Sequence, residues 1–219
     1  MRLVLTKESL KRTLRWAQRA LLVGGVSLLA YCAFALLDSW IFQQQQGHDL
    51  DRLLDDDSAA SVGAPPAGPL LAPDTPEAPE ASDAPLAATA DGLIGRIEVS
   101  RLGLSAIVME GIDRRTLRRA AGHIPGTALP GQSGNVGIAG HRDTFFRPLQ
   151  DIQVDDIVTL TTRWGEYQYR VVSRRVVSPH DVAVLDPTGN EVLTLVTCHP
   201  FYFVGPAPNR FIVRAERVS

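Results

Sequence analysis

Apolar positions in this chain of 219 residues follow two different patterns, separated by a stretch with neither. The first is an unbroken run, ALLVGGVSLLAYCAFALL from Ala20 to Leu37, with no charged residue. A helix of about 18–20 apolar residues is long enough to cross a bilayer. The run is preceded by Arg2, Lys7, Lys11, Arg12, Arg15 and Arg19 against the single acid Glu8, and Trp16 and Trp40 stand near its two ends. Basic residues on one side and aromatic residues at both interfaces predict an uncleaved signal-anchor over residues 20–40, with a cytoplasmic tail over 1–19 and everything later outside. A cleaved signal peptide would need a shorter apolar stretch and a small-residue cleavage site, and none is evident after Leu37. A buried core helix would show a polar face, which this run lacks.

Residues 41–91 carry no periodic pattern. They are rich in Ala, Pro and acids, as in Asp55-Asp56-Asp57 and APDTPEAPEASDAP. Such a composition cannot bury enough apolar surface to offset chain entropy, so a disordered, extended linker is predicted there.

The second pattern fills residues 92–219. Short β-branched runs recur at Ile94–Val99, Leu104–Met109, Asn135–Gly140, Ile157–Thr162, Tyr167–Val172, Val192–Cys198 and Arg210–Glu216. Two of them flank a short Trp164-Gly165 turn and read as a hairpin. One helical stretch begins at Asp113, a suitable N-cap, with Gly122 as its stop. Frequent short strands between Gly and Pro turns predict an all-β domain, a barrel or a sandwich.

Bulk composition adds exclusions. A net charge of -2 carries no signal for nucleic acid, so no nucleic-acid partner is expected. The 2 cysteines, Cys32 and Cys198, lie in unrelated contexts and match neither a disulfide framework nor a zinc pattern. No acidic cluster has metal-ligand spacing, so neither metal nor cofactor is implied.

Cys198 ends an apolar strand ahead of Pro200, which cannot donate a ladder hydrogen bond, so the thiol is expected at a strand end near the rim. A thiol there becomes nucleophilic when a base or cation stands near it. Of the 5 histidines, His48 lies in the linker region and His180 reads as a surface residue. His199, next to Cys198, would point to the opposite face, and His123 reads as a structural residue beside the helix. His141 closes the Gly-rich run GNVGIAGHRDT and is the best base candidate, without spacing alone deciding it. Arg210 opens the strand that returns from Cys198, where its guanidinium could stabilise developing negative charge.

Three blocks, GHIPGTALPGQSGNVGIAGHRDTFF, TLVTC and APNRFIVRA, resemble the signature segments of sortases, and most closely those of class D. The resemblance runs from about Ile94 to Ala215. It implies an eight-stranded β-barrel with one or two short helices, preceded by a transmembrane helix. It also implies Cys198 as nucleophile, His141 as acid and base, and Arg210 as oxyanion donor, with Thr197 and His123 as secondary site residues. The implied activity is transpeptidation: an LPxTG-like sorting signal is cleaved through a thioester, and the acyl group passes to an amine on a peptidoglycan precursor or a pilin subunit. The segment from Ser178 to Asn190 is expected to form the wall for the Leu-Pro part of the signal. His199 departs from the aromatic residue that class D relatives often carry after the cysteine. No lysine occurs in residues 92–219, so the acceptor amine must come from outside. The competing readings are an L,D-transpeptidase, whose Ser-x-Gly-Cys arrangement is absent, a simple cysteine peptidase, and an inactive sortase-like binding module.

Overall fold

A computed structural model describes residues 7–62, 92–203 and 205–218. The chain divides into two compact units, residues 1–42 and 43–219. The first helix, α1, runs from Lys7 to Val62. Within it, residues 14–55 are long and apolar enough to cross a membrane, with a mean hydropathy of 2.3 in the most apolar window.

The helix continues well into the stretch where the composition predicts a disordered linker from residue 41. The reason is visible in the residues. Between Gln43 and Val62 there is no proline, and Gln, Leu and Arg are good helix formers. Within the second unit this segment also has fixed partners. Leu50 is buried, the Gln43 side chain accepts from the Ile107 N–H at 2.9 Å, and Arg96 donates to the Gly47 carbonyl and the Asp51 carboxylate. Tertiary contacts of this kind decide whether a helix of modest intrinsic propensity persists. Residues 63–91 of the expected linker lie outside the described residues.

The second unit is built on eight strands: β1 (Leu93–Val99), β2 (Leu104–Glu110), β3 (Ala121–His123), β4 (Asn135–Ala139), β5 (Ile157–Thr162), β6 (Gly165–Val177), β7 (Val192–His199) and β8 (Asn209–Arg217). They close into a barrel in the order β1-β2-β3-β4-β7-β8-β6-β5, with β5 pairing back to β1. Closure leaves no free sheet edge. Alternate residues point inward, so Ile97, Val136, Ile138, Leu193, Leu195, Val213 and Ala215 form one buried cluster with Tyr169 and Phe146. The outward positions of β4, β7 and β8 are left to build the site.

The short helix α2 (Arg114–Arg119) begins as the sequence predicts. The Asp113 carboxylate accepts from the backbone N–H groups of Arg115 and Thr116 and from the Thr116 hydroxyl. It stops at Arg119, however, and Gly122 lies in β3, a strand the sequence reading does not contain. A side chain at Gly122 would come within 2.2 Å of the Gly111 carbonyl oxygen, so glycine there permits close backbone approach and is not the helix stop.

Candidate active site

Strand register places the three principal candidates in one row. β7 and β8 are antiparallel with Cys198 opposite Arg210. β4 and β7 are parallel, with Ala139 opposite Val196. The pairing is extended past the end of β4 by two hydrogen bonds, from the Gly140 N–H to the Val196 carbonyl at 3.1 Å and from the Thr197 hydroxyl to the Gly140 carbonyl at 2.8 Å. Two positions beyond Ala139, the register carries His141 to the level of Cys198.

All three side chains face outward, because Ile138, Leu195 and Phe211, one position out of phase, belong to the core. They line a single groove of about 360 Å³ on the outer face of the barrel. The thiol thus lies at a strand end, as its position before Pro200 suggests, but on the outside of the sheet. The opposite wall is apolar and comes from Val182, Val184 and Leu185 in a short 3-10 turn, Val182–Leu185, together with Pro179. This falls within the 178–190 segment singled out from the resemblance.

A buried polar network fixes that wall. Asn135 on β4 donates from Nδ2 to the carbonyls of Val184 at 3.1 Å and Asp186 at 3.2 Å, and its Oδ1 accepts from the Thr194 hydroxyl at 2.7 Å. Asn135→Ala would leave the Thr194 hydroxyl buried without its acceptor and the two carbonyls without their donor. A loss of about 2 kcal/mol in stability is expected, together with faster proteolysis or hydrogen exchange confined to residues 182–186; thermal unfolding and exchange mass spectrometry measure the two effects. Asn135 was not singled out as a site residue, since only the contact with a segment some 50 positions away reveals its part.

The exit from β4 is equally constrained. A side chain at Gly140 would come within 2.7 Å of the Phe146 ring, which is fully buried. Glycine immediately before His141 therefore lets the strand end press on the core.

Arg142 is the residue the sequence reading passed over. Only 5 % exposed, it donates two bonds of 3.0 Å to the Asp143 carboxylate and one of 2.7 Å to the Pro200 carbonyl. It ties the loop after Cys198 to the turn after His141. The Asp143 hydrogen bonds raise its proton affinity further, and a negative charge on Cys198 adds a smaller push in the same direction. The same bonds hold the Asp143 carboxyl below its ordinary range, with lesser contributions from Arg147 and His141. The only sequence signal was a charged pair directly after the histidine.

The remaining candidates separate from the row. Thr197 is buried and its hydroxyl is used by Gly140, so it holds two strands together. His123 is buried away from the groove: Nδ1 lies 2.8 Å from Glu110 and Nε2 2.9 Å from the Ala128 carbonyl. Both ring nitrogens are thus occupied by structural partners. His199 points inward, in aromatic contact with Phe201 and Phe211. His180 and His48 are exposed. Among the described residues, Arg210 bonds to backbone carbonyls, those of Ala207 at 3.3 Å and Asn209 at 3.1 Å, and pairs with no carboxylate.

A closed eight-stranded barrel with an outward cysteine and arginine on β7 and β8, and an outward histidine just past the end of β4, defines a narrow class of proteins. The Sortase domain family matches residues 97–218, more than half of the sequence, and the chain belongs to the sortase family. Among curated relatives it is similar to Sortase D of Bacillus subtilis (strain 168), 32% identical over 57% of this chain and 64% of that protein. It is also similar to Sortase A of Listeria monocytogenes, 29% identical over 49% of this chain and 50% of that protein. The matched region thus spans less than two thirds of either relative. Among solved structures, sortase C-1 from Actinomyces oris superposes with a TM-score of 0.56 at 30% identity, covering 60% of this chain and 76% of that one. A Clostridium perfringens Sortase D5 transpeptidase gives 0.60 at 24% identity, covering 81% and 99%, and shares the fold.

Proposed function

We infer that the chain is a membrane-anchored cysteine transpeptidase acting on an LPxTG-like sorting signal. The observation that carries this reading is the β4–β7–β8 register, which sets His141, Cys198 and Arg210 along one groove.

The reaction divides into two acyl transfers. The Cys198 sulfur, its proton taken by His141, attacks the threonine carbonyl of the signal, and the resulting oxyanion is stabilised by N–H donors of Arg210, which no carboxylate among the described residues holds elsewhere. His141 gives a proton to the departing glycine amine, leaving a thioester on Cys198. An incoming amine then attacks the thioester carbon and passes its proton to His141. The C–S bond breaks, and the free enzyme returns. Arginine suits the oxyanion role because it stays protonated and cannot serve as the base. The apolar wall of Val182, Val184 and Leu185 suits the Leu-Pro part of the signal. A groove lined on one side by apolar residues and on the other by a few convergent polar groups fits a peptide of that pattern.

The relatives named Sortase D and the Sortase D5 transpeptidase support placement near class D. Residues 1–19 are assigned to the cytoplasm and 20–40 to the membrane, because basic residues flank the apolar run only on its N-terminal side. The catalytic domain over residues 92–219 is then extracytoplasmic, facing amine acceptors such as peptidoglycan precursors or pilin subunits. The test is ligation: the full chain in detergent micelles is incubated with a panel of Leu-Pro-x-Thr-Gly-type peptides and an amine, and products are read by mass. Ligated product from at least one motif supports the reading. Cleavage without amine transfer from every peptide would reduce the enzyme to a peptidase.

A further inference from the structure

Beside His141 lies a second depression of about 480 Å³, lined by Ile112, Arg114, Leu117, Arg118 and His141. Ile112, Leu117 and His141 also line the cysteine groove, so the two meet at the imidazole. We propose that this depression is the acceptor subsite, and that it selects amines carried on a carboxylate-bearing molecule, with Arg114 and Arg118 holding the carboxylate. The proposal rests on the transpeptidase reading and deepens it.

The first support is position. On α2, residues 114, 117 and 118 share one face, at spacings of three and four. That face borders His141, the group from which the incoming amine must be deprotonated. The apolar Leu117 and Ile112 provide contact for the aliphatic part of the acceptor.

The second support is charge. Arg114 and Arg118 are exposed, and neither has a hydrogen bond or ion pair among the described residues. The acids nearest in sequence are already engaged. Asp113 caps α2 through Arg115 and Thr116, and Glu110 contacts His123 at 2.8 Å. Two free guanidinium groups on one helix face repel an approaching ammonium. An acceptor reaching His141 as an alkylammonium ion is therefore disfavoured unless it brings compensating negative charge. A carboxylate supplies it, and each guanidinium can grip one bidentately.

The third support is the kind of cation. Residues 92–219 contain no lysine, and every fixed cation near the groove is an arginine. A lysine amine beside a thioester would itself be acylated. A guanidinium binds the same anion but stays protonated and non-nucleophilic. The surface thus attracts carboxylates without offering a competing acceptor. In the step itself, the acceptor nitrogen bonds to the acyl carbon, the C–S bond breaks, and the proton moves to His141.

The experiment compares two acceptors of nearly equal amine basicity, Nα-acetyl-lysine with a free carboxylate and its carboxamide. The full chain in micelles is first acylated with a Leu-Pro-x-Thr-Gly-type peptide, and thioester formation is read separately by mass. The quantity measured is the ratio of kcat/KM for the acid over the amide, an internal comparison that cancels any general loss of activity. About a tenfold preference for the acid is expected at low salt, shrinking as salt rises. It should fall to about one in R114Q/R118Q, which removes the charges without adding an amine, and to one or below in R114E/R118E, which reverses them. A wild-type ratio near one, or a ratio unchanged in R114E/R118E, would overturn the proposal while leaving the transpeptidase reading intact. Failure of the wild type to form any thioester would instead overturn both.

Discussion

Arg210→Ala should lower kcat/KM for cleavage of a sorting-signal peptide by about 10²–10³, the range seen when one donor to a developing oxyanion is removed. The expectation follows from what surrounds the side chain. Arg210 stands directly opposite Cys198 across the β7–β8 ladder and lines the same groove. Among the described residues its bonds go to the carbonyls of Ala207 and Asn209. A guanidinium fork has five N–H groups, so those contacts leave donors for the substrate. Arg210→Lys should recover only part of the loss, because it restores the charge and not the planar fork. Two measurements separate this role from a merely structural one. The rate of Cys198 alkylation by a small neutral reagent should change far less than the rate of acylation by peptide. Thermal stability should shift by no more than about 1 kcal/mol, as for other partly exposed side chains.

His141→Ala should have an effect of similar or greater size, a fall of about 10²–10⁴ in turnover. Both half-reactions are expected to slow, since the proposed mechanism has the same ring protonate the departing amine and deprotonate the incoming one. The side chain is exposed and has no fixed partner among the described residues, so its loss should leave the barrel intact. The diagnostic readout is chemical rescue: free imidazole at millimolar concentration should restore part of the activity of His141→Ala and none to Cys198→Ala. Rapid-quench measurement of thioester formation and of its aminolysis resolves the two steps. A variant that acylates at the normal rate and fails only in aminolysis would confine His141 to the second half-reaction.

Much of this site is legible in the sequence because its parts sit at the ends of strands whose patterns are strong. Val192–Cys198 and Arg210–Glu216 are β-branched runs bounded by Pro, and they appear as β7 and β8 within a residue or so of their expected limits. The loop between them returns the chain beside itself, which explains why Arg210 could be paired with Cys198. His141 was harder. Nothing in the spacing brings positions 141 and 198 together; the resemblance did so, and the parallel β4–β7 register gives the physical reason.

What stayed hidden depends on contacts between distant segments. The three-residue strand β3 has no pattern of its own and exists because it bridges β2 and β4. The continuation of α1 past residue 41 depends on partners at Arg96 and Ile107 that composition cannot reveal. Asn135 reads as an ordinary polar residue at a strand start until it is seen holding the Val182–Leu185 wall. Arg142 looks like a surface charge beside Asp143, yet it is buried and fastened to Pro200. His123 stands inside a signature block, which gave it a secondary place in the site, yet its ring is held by Glu110 and Ala128 away from the groove, in keeping with its residue-level reading as a structural histidine.

The central claim is that Cys198 is the acyl carrier, and intact-protein mass spectrometry tests it most directly. The full chain in detergent micelles is mixed with a Leu-Pro-x-Thr-Gly-type peptide, quenched in acid, and weighed. The account predicts a mass increase equal to the peptide up to its threonine, mapped to Cys198, discharged by hydroxylamine and absent from Cys198→Ala. A folded protein with an alkylatable Cys198 that forms no adduct with any peptide in the panel, or an adduct that persists in Cys198→Ala, would contradict it.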